Sequence, residues 1–302
     1  MSSKANSVRS VIYALSANFA IAVAKAVAAI FTHSGAMLAE AIHSTADTGN
    51  QILLLWGMKS AKKPPNEDFP LGFGKEIYFW SFIVALLLFS MGGLFSIYEG
   101  WHKLHNPSAL SYPWVALGVL GFSIVAEGLS FLGCVREINK VRGKDSLWRW
   151  FRESRQSELI VVFGEDLAAL IGLVLASSAI VLTMITGNPL YDAIGTISIG
   201  ILLFIIALLV GIEVKALLIG QGIEKKQKEK MQQFLNQQPE LDKLYNIITL
   251  QMGTDVMVAI KARMKATGSE IKLIENINTI EKKLREEFPQ ITWSFFEPDI
   301  KD

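Results

Sequence analysis

What most constrains this chain is that its uncharged residues are gathered into long runs. Residues 11–57, 77–98, 112–134, 159–184 and 190–219 are almost free of charge, whereas 221–302 read as an ordinary polar chain. A bilayer core about 30 Å thick needs roughly 20 helical residues at about 1.5 Å each. Six segments reach that length: about 9–30, 35–57, 77–98, 112–134, 159–184 and 190–219. The first two are divided at Thr32-His33-Ser34-Gly35, which has room only for a tight turn. The residues ahead of the first segment lack a secretory cleavage pattern, so that segment is expected to be a permanent span. With 51% hydrophobic and 19% charged residues, the chain is too apolar for a soluble globule, in which about 25% would be charged. Cys134 is the only cysteine and has no partner for a disulfide framework. A net charge of +1 gives no reason to expect nucleic acid.

The loops set the orientation. Lys59, Lys62, Lys63 and Lys75 lie between spans 2 and 3, and Arg136, Lys140, Arg142, Lys144, Arg149, Arg152 and Arg155 between spans 4 and 5. On the other side only Lys103 appears. Eleven basic residues against one place the 2–3 and 4–5 loops, and with them both termini, in the cytoplasm or an equivalent compartment. In a bacterium that membrane is the inner one.

The residues divide into a six-helix membrane domain, 1–220, and a polar domain, 221–302. In the latter, Glu224–Asn236 and Glu270–Phe288 have amphipathic helical spacing. Tyr245–Gln251 and Val256–Met264 alternate around Met252-Gly253-Thr254-Asp255 and read as a hairpin, with a final strand over Ile291–Glu297. The order α-β-β-α-β predicts a small ferredoxin-like α+β domain, with helices on one face of the sheet.

Ionisable residues inside spans are costly, so each is a functional candidate weighed against a paired structural role. His43 and Asp47 are four residues apart in span 2, on one face and one turn from each other. That spacing suits two ligands on one divalent ion, the alternative being a structural polar pair. Asn50 could extend the same stripe. In span 5, Glu165 and Asp166 are adjacent carboxylates that repel in hydrocarbon, so at least one needs a cation or a proton. Asp166 is the stronger ligand candidate; Glu165 is either a ligand or a protonated or hydrogen-bonded acid. Asp47 comes out roughly 18 Å below the outer surface and Asp166 roughly 12 Å above the inner one, which is one level in a core of about 30 Å. Lys25 and Glu40 share a depth in the first hairpin and read as a buried ion pair, though Glu40 also lies on the His43–Asp47 face. Glu127 in span 4 comes out about a turn below Asp166, placed either to relay protons or to bond a neighbouring helix. His33, His102 and His105 fall in outer loops.

These residues resemble the cation diffusion facilitator, or zinc transporter, family over nearly the whole chain. The resemblance is carried by Asn18 and Lys25, by the run Ser34-Gly35-Ala36-Met37-Leu38-Ala39-Glu40-Ala41-Ile42-His43-Ser44 with Asp47, by Pro70-Leu71-Gly72-Phe73-Gly74-Lys75-Glu76, and by Asp166-Leu167-Ala168-Ala169-Leu170-Ile171-Gly172. The run Val162-Phe163-Gly164-Glu165-Asp166-Leu167, preceded by Leu147-Trp148-Arg149-Trp150-Phe151, is similar to the branch that contains mitochondrial zinc transporters.

The resemblance implies a tetrahedral site built from a His/Asp-x-x-x-Asp pair on each of spans 2 and 5. His43, Asp47 and Asp166 match three of its positions, but Val162 stands at the fourth and cannot bind a metal. Glu165, Asn50 or water are the available replacements. The resemblance also implies a homodimer held in part by the tail, working in a lipid bilayer as a cation/proton antiporter rather than an enzyme. The divalent cation, Zn2+ first and Mn2+, Fe2+ or Co2+ as alternatives, is then the substrate, protons are the counter-ion, and no organic cofactor is needed. A membrane scaffold that kept the fold and lost transport is the rival, since Val162 interrupts the site.

Overall fold

The computed structural model describes residues 4–107 and 109–301. Six long helices form the membrane part: α1 (Lys4–Thr32), α2 (Gly35–Ser60), α3 (Glu76–His105), α4 (Pro113–Val141), α6 (Ser157–Thr186) and α7 (Leu190–Ile219), with a short helix α5 (Leu147–Glu153) before α6. Among the described residues α3, α4, α6 and α7 are long and apolar enough to cross a bilayer on composition alone. The described apolar stretch of α1 is the shorter Asn18–Thr32. α2 falls short because it carries the polar stripe from Glu40 through Asn50. α7 covers the expected 190–219, whereas α3 and α4 run about two turns past their apolar limits, since backbone hydrogen bonding continues into the interface after the apolar run ends.

Two assignments made from sequence change. α5 lies in a segment expected to be loop, where Ser146 caps it by accepting from Arg149 N at 3.2 Å, and Trp150 and Phe151 are buried. His102 and His105 belong to the last turn of α3 instead of to a loop, His102 stacked on Tyr98 and His105 tilted against Trp101, with ring centroids 6.5 and 4.8 Å apart.

Without a hydrophobic force between helices in lipid, tight packing depends on small residues. α3 contains a π-helical turn at Leu88–Leu94, and Gly92 and Gly93 within it face Leu203 and Phe204 of α7. One helical step away, a side chain at Gly200 would place its Cβ 2.7 Å from the Ile97 backbone nitrogen. Gly200→Val is therefore expected to cost about 1–3 kcal/mol through overpacking. Gly211→Val, with nothing within 4 Å of the added carbon, should leave the melting temperature in detergent unchanged.

The polar domain follows as α8 (Lys225–Asn236), β1 (Leu241–Met252), β2 (Asp255–Met264), α9 (Glu270–Glu287) and β3 (Ile291–Pro298). The sheet order is β1-β2-β3, with β1–β2 an antiparallel hairpin and β2–β3 parallel across α9. β1 starts four residues earlier than the alternation suggests. Irregularities at Leu241/Lys243 and Leu244/Asn246 break its period of two there, so the pattern was not readable. Ile247, Val258 and Ile260 pack under α8 and α9 with Met231, Leu235, Ile280 and Leu284.

The domain is tied to the inner ends of the bundle. The buried Tyr78 hydroxyl accepts from Gly253 N at 2.9 Å. Gly74 lies so close to Met252 that a β-carbon would run into its carbonyl, which accounts for the second glycine of the Gly72-Phe73-Gly74 loop. Arg155 Nε donates to Gly222 O at 2.7 Å, and Lys226 pairs with Asp145. Burial at this junction pushes the Glu224 carboxyl above the usual carboxylate range.

Candidate metal centre

The centre is organised from the outer end of α2. Ser34 caps that helix, its hydroxyl accepting from Met37 N at 3.1 Å. The buried Asp192 carboxylate of α7 then receives Ser34 Oγ–H at 2.5 Å, Gly35 N at 2.7 Å and Lys103 Nζ at 3.1 Å. An anion at a helix N-terminus satisfies free backbone N–H groups and the helix dipole together. This clamp fixes α2 against α3 and α7, and so sets the height of the polar stripe below it. Sequence reasoning passed over Asp192. The available signal was Lys103, the only basic residue on the outer side, which required an acid near it.

Two turns down, Lys25 Nζ lies 3.3 Å from Glu40 Oε2 and donates to Ser44 Oγ at 2.7 Å, with both charged side chains wholly enclosed. Glu40 Oε1 has no hydrogen-bond partner. Glu40 thus faces Lys25 and stands apart from the carboxylates below.

His43 and Asp47 approach each other along α2, with Nε2 3.5 Å from Oδ2. Neither imidazole nitrogen has a hydrogen-bond partner, and Asp47 Oδ1 is likewise buried without one. Across the helix interface, Asn50 Nδ2 donates to Glu165 Oε1 at 2.5 Å. Asp166 Oδ2 accepts from Ser130 Oγ of α4 at 3.3 Å. Between these helices lies a cavity of about 20 Å³, lined by Asp47, Glu127, Glu165 and Asp166 together with Asn18 and Gln51. A volume near 10–15 Å³ is about enough for one water-sized sphere, so the space suits a single ion.

Ser44 and Val162 also border the cavity; His43 and Asn50 do not. The structure therefore gathers Asp47, Glu165 and Asp166 around one space, and leaves His43 and Asn50 beside it. Among the described residues no three His, Cys, Asp or Glu side chains are drawn together tightly enough to hold an ion as they stand. Glu127 borders the same cavity as Asp166, whichever turn its backbone occupies. Depth counted along each helix separately ignores how the helices are offset and tilted, and a glutamate adds its own reach.

Residues 11–219, which contain the whole of this arrangement, match the family model of the cation efflux transmembrane domain. The chain belongs to that family. It is 36% identical over 245 residues to the protein named proton-coupled zinc antiporter SLC30A9, mitochondrial, of Xenopus laevis, covering 80% of this chain and 43% of that one. The human protein of the same name is 34% identical over 245 residues, 80% of this chain and 42% of the relative. The metal tolerance protein C4 of Arabidopsis thaliana is 32% identical over 219 residues, 70% of this chain and 47% of the relative. The chain thus spans less than half the length of these curated relatives. Membership makes the fold that of a multi-pass helical membrane protein with a small α+β tail, and the similarity reaches the mitochondrial branch that the Val162–Leu167 run suggested.

Proposed function

We propose that this chain exports a divalent metal cation, chiefly Zn2+, from the cytoplasm in exchange for protons. The observation that supports this most is the cavity between α2, α4 and α6, where several carboxylates face one small space inside the membrane region. Carboxylates in hydrocarbon need a cation or a proton, and an antiporter supplies each in turn. The proton coupling and the zinc in the name of the Xenopus laevis relative point the same way.

In this reading Asp47 and Asp166 hold the ion near the midplane, with His43, Glu165 and Asn50 able to join on small side-chain movements. Imidazole and carboxylate bind a metal only when deprotonated, so protons arriving from the far side displace it. Tilting of helices about a fixed site alternates its exposure. The basic loops put both termini in the cytoplasm, which in a bacterium makes the host membrane the inner one.

Residues 221–302 act as a dimerisation module in a homodimer. Its support is the sheet face away from the helices, where the register aligns Ile248 with Ala259 and Phe295, and Leu250 with Met257 and Trp293. Ile248 and Phe295 are more than half exposed on that face, an apolar patch that a second copy would cover.

The test is flux into proteoliposomes under an imposed pH gradient, with Zn2+ competed by Mn2+, Fe2+ and Co2+. Zn2+ accumulation that collapses with a protonophore is expected. No metal-dependent proton flux for any of the four ions would identify a scaffold that kept the fold and lost transport.

A further inference from the structure

We propose that Glu127 of α4 is itself a ligand to the transported cation, so that the ion is held from three helices and not from α2 and α6 alone. The inference rests on the cation-transport reading and concerns the same site.

Val162 borders the cavity without a donor atom, so that side of its wall offers an ion nothing. Glu127 reaches that cavity from a stretch of helix whose large apolar neighbours mostly face outward: Phe122, Val125, Leu129 and Leu132 are all more than half exposed. Structural acids within the spans are paired here, Glu40 with Lys25 and Glu213 with Arg152. Glu127 has no hydrogen bond or ion pair among the described residues; it borders the cavity, with the Lys25 ammonium acting on it only at longer range. Four carboxylates around about 20 Å³ repel one another, and a divalent ion among them turns that repulsion into coordination.

The donor set defines the substrate class. Every polar residue bordering the space offers oxygen, from Asp47, Glu127, Glu165 and Asp166, from the Asn18 and Gln51 amides and from the Ser44 hydroxyl, while His43 stays beside it. Oxygen cages favour harder ions such as Mn2+, whereas Zn2+ is content with four ligands that include nitrogen. With Glu127 as a ligand, the site accepts Mn2+ as well as Zn2+, and Glu127 supplies the oxygen that Mn2+ depends on more.

The test measures Zn2+ and Mn2+ binding to the purified full-length protein in nanodiscs, by calorimetry and by the metal-induced rise in melting temperature. The variants are Glu127→Gln and Asp47→Ala. Glu127→Gln should melt like the wild type without metal, weaken Mn2+ binding about tenfold or more, and weaken Zn2+ binding by less; one ligand lost is about 1.4 kcal/mol or more per tenfold. Asp47→Ala should bind neither ion. If Glu127→Gln binds both ions as the wild type does while Asp47→Ala binds neither, Glu127 is no ligand and the transport reading stands. If Asp47→Ala also binds both ions normally, the site itself is misplaced. Should Glu127→Gln melt lower without metal, Glu127→Asp, which keeps the charge, must restore Mn2+ binding for the proposal to survive.

Discussion

Asp47→Ala is expected to reduce Zn2+ accumulation in reconstituted vesicles by about 100-fold or more, since even outer-shell partners of a metal cost about 10–100-fold when removed. The reasoning starts from what Asp47 touches. Its Oδ1 is buried without a hydrogen bond, and its Oδ2 has only the His43 ring 3.5 Å away. Glu127, Glu165 and Asp166 share its cavity. Removing one of several mutually repelling carboxylates relieves the metal-free fold while deleting a binding atom. The signature is thus a variant that melts at or above the wild-type temperature without metal and no longer gains stability when Zn2+ is added. A variant that still accumulates Zn2+ at the wild-type rate would show that the cavity is not the transport site.

Lys25→Met carries the second large effect, on stability. The Lys25–Glu40 pair is wholly enclosed, with Ser44 as the other partner of the ammonium. Breaking such a pair leaves a buried carboxylate uncompensated, at about 3–5 kcal/mol. Replacing both charges together is often close to neutral, so Lys25→Met/Glu40→Gln should recover most of the loss. Detergent melts of the two single variants and the double variant form the thermodynamic cycle that checks this. Additive losses would mean that the two groups do not interact, and that the 3.3 Å contact adds nothing to stability.

The two variants separate roles that sequence alone assigned only by type. Charges deep within a span stood out because hydrocarbon leaves them no bland surface role. That made Lys25, Glu40, His43, Asp47, Glu127, Glu165 and Asp166 visible without any structure. Spacing also placed His43 and Asp47 one turn apart, because that relation is local to one helix. Asp192 escaped notice, since an acid at the outer start of a span looks solvated until the N-terminus of α2 is seen above it. α5 was hidden because Arg149 and Arg152 among its aromatic residues gave it the look of a charged loop. The early part of β1 was hidden by the bulges that break its alternation.

The sequence by itself determined what is local or set by the solvent: the long apolar helices, the strands of the tail and the list of charges that lipid cannot tolerate. It could do so because the 3.6- and 2-residue periods, the length needed to cross a bilayer and the cost of burying charge are all properties of short segments. The tertiary structure alone decided which of those charges meet. Glu40 turns to Lys25, Asn50 reaches Glu165, and Glu127 borders the same cavity as Asp166, on two helices that Ser130 bridges by its bond to Asp166 across 36 residues. Those meetings depend on the offset, tilt and rotation of whole helices, which small residues such as Gly93 and Gly200 set by letting backbones touch. No spacing along one chain segment encodes them.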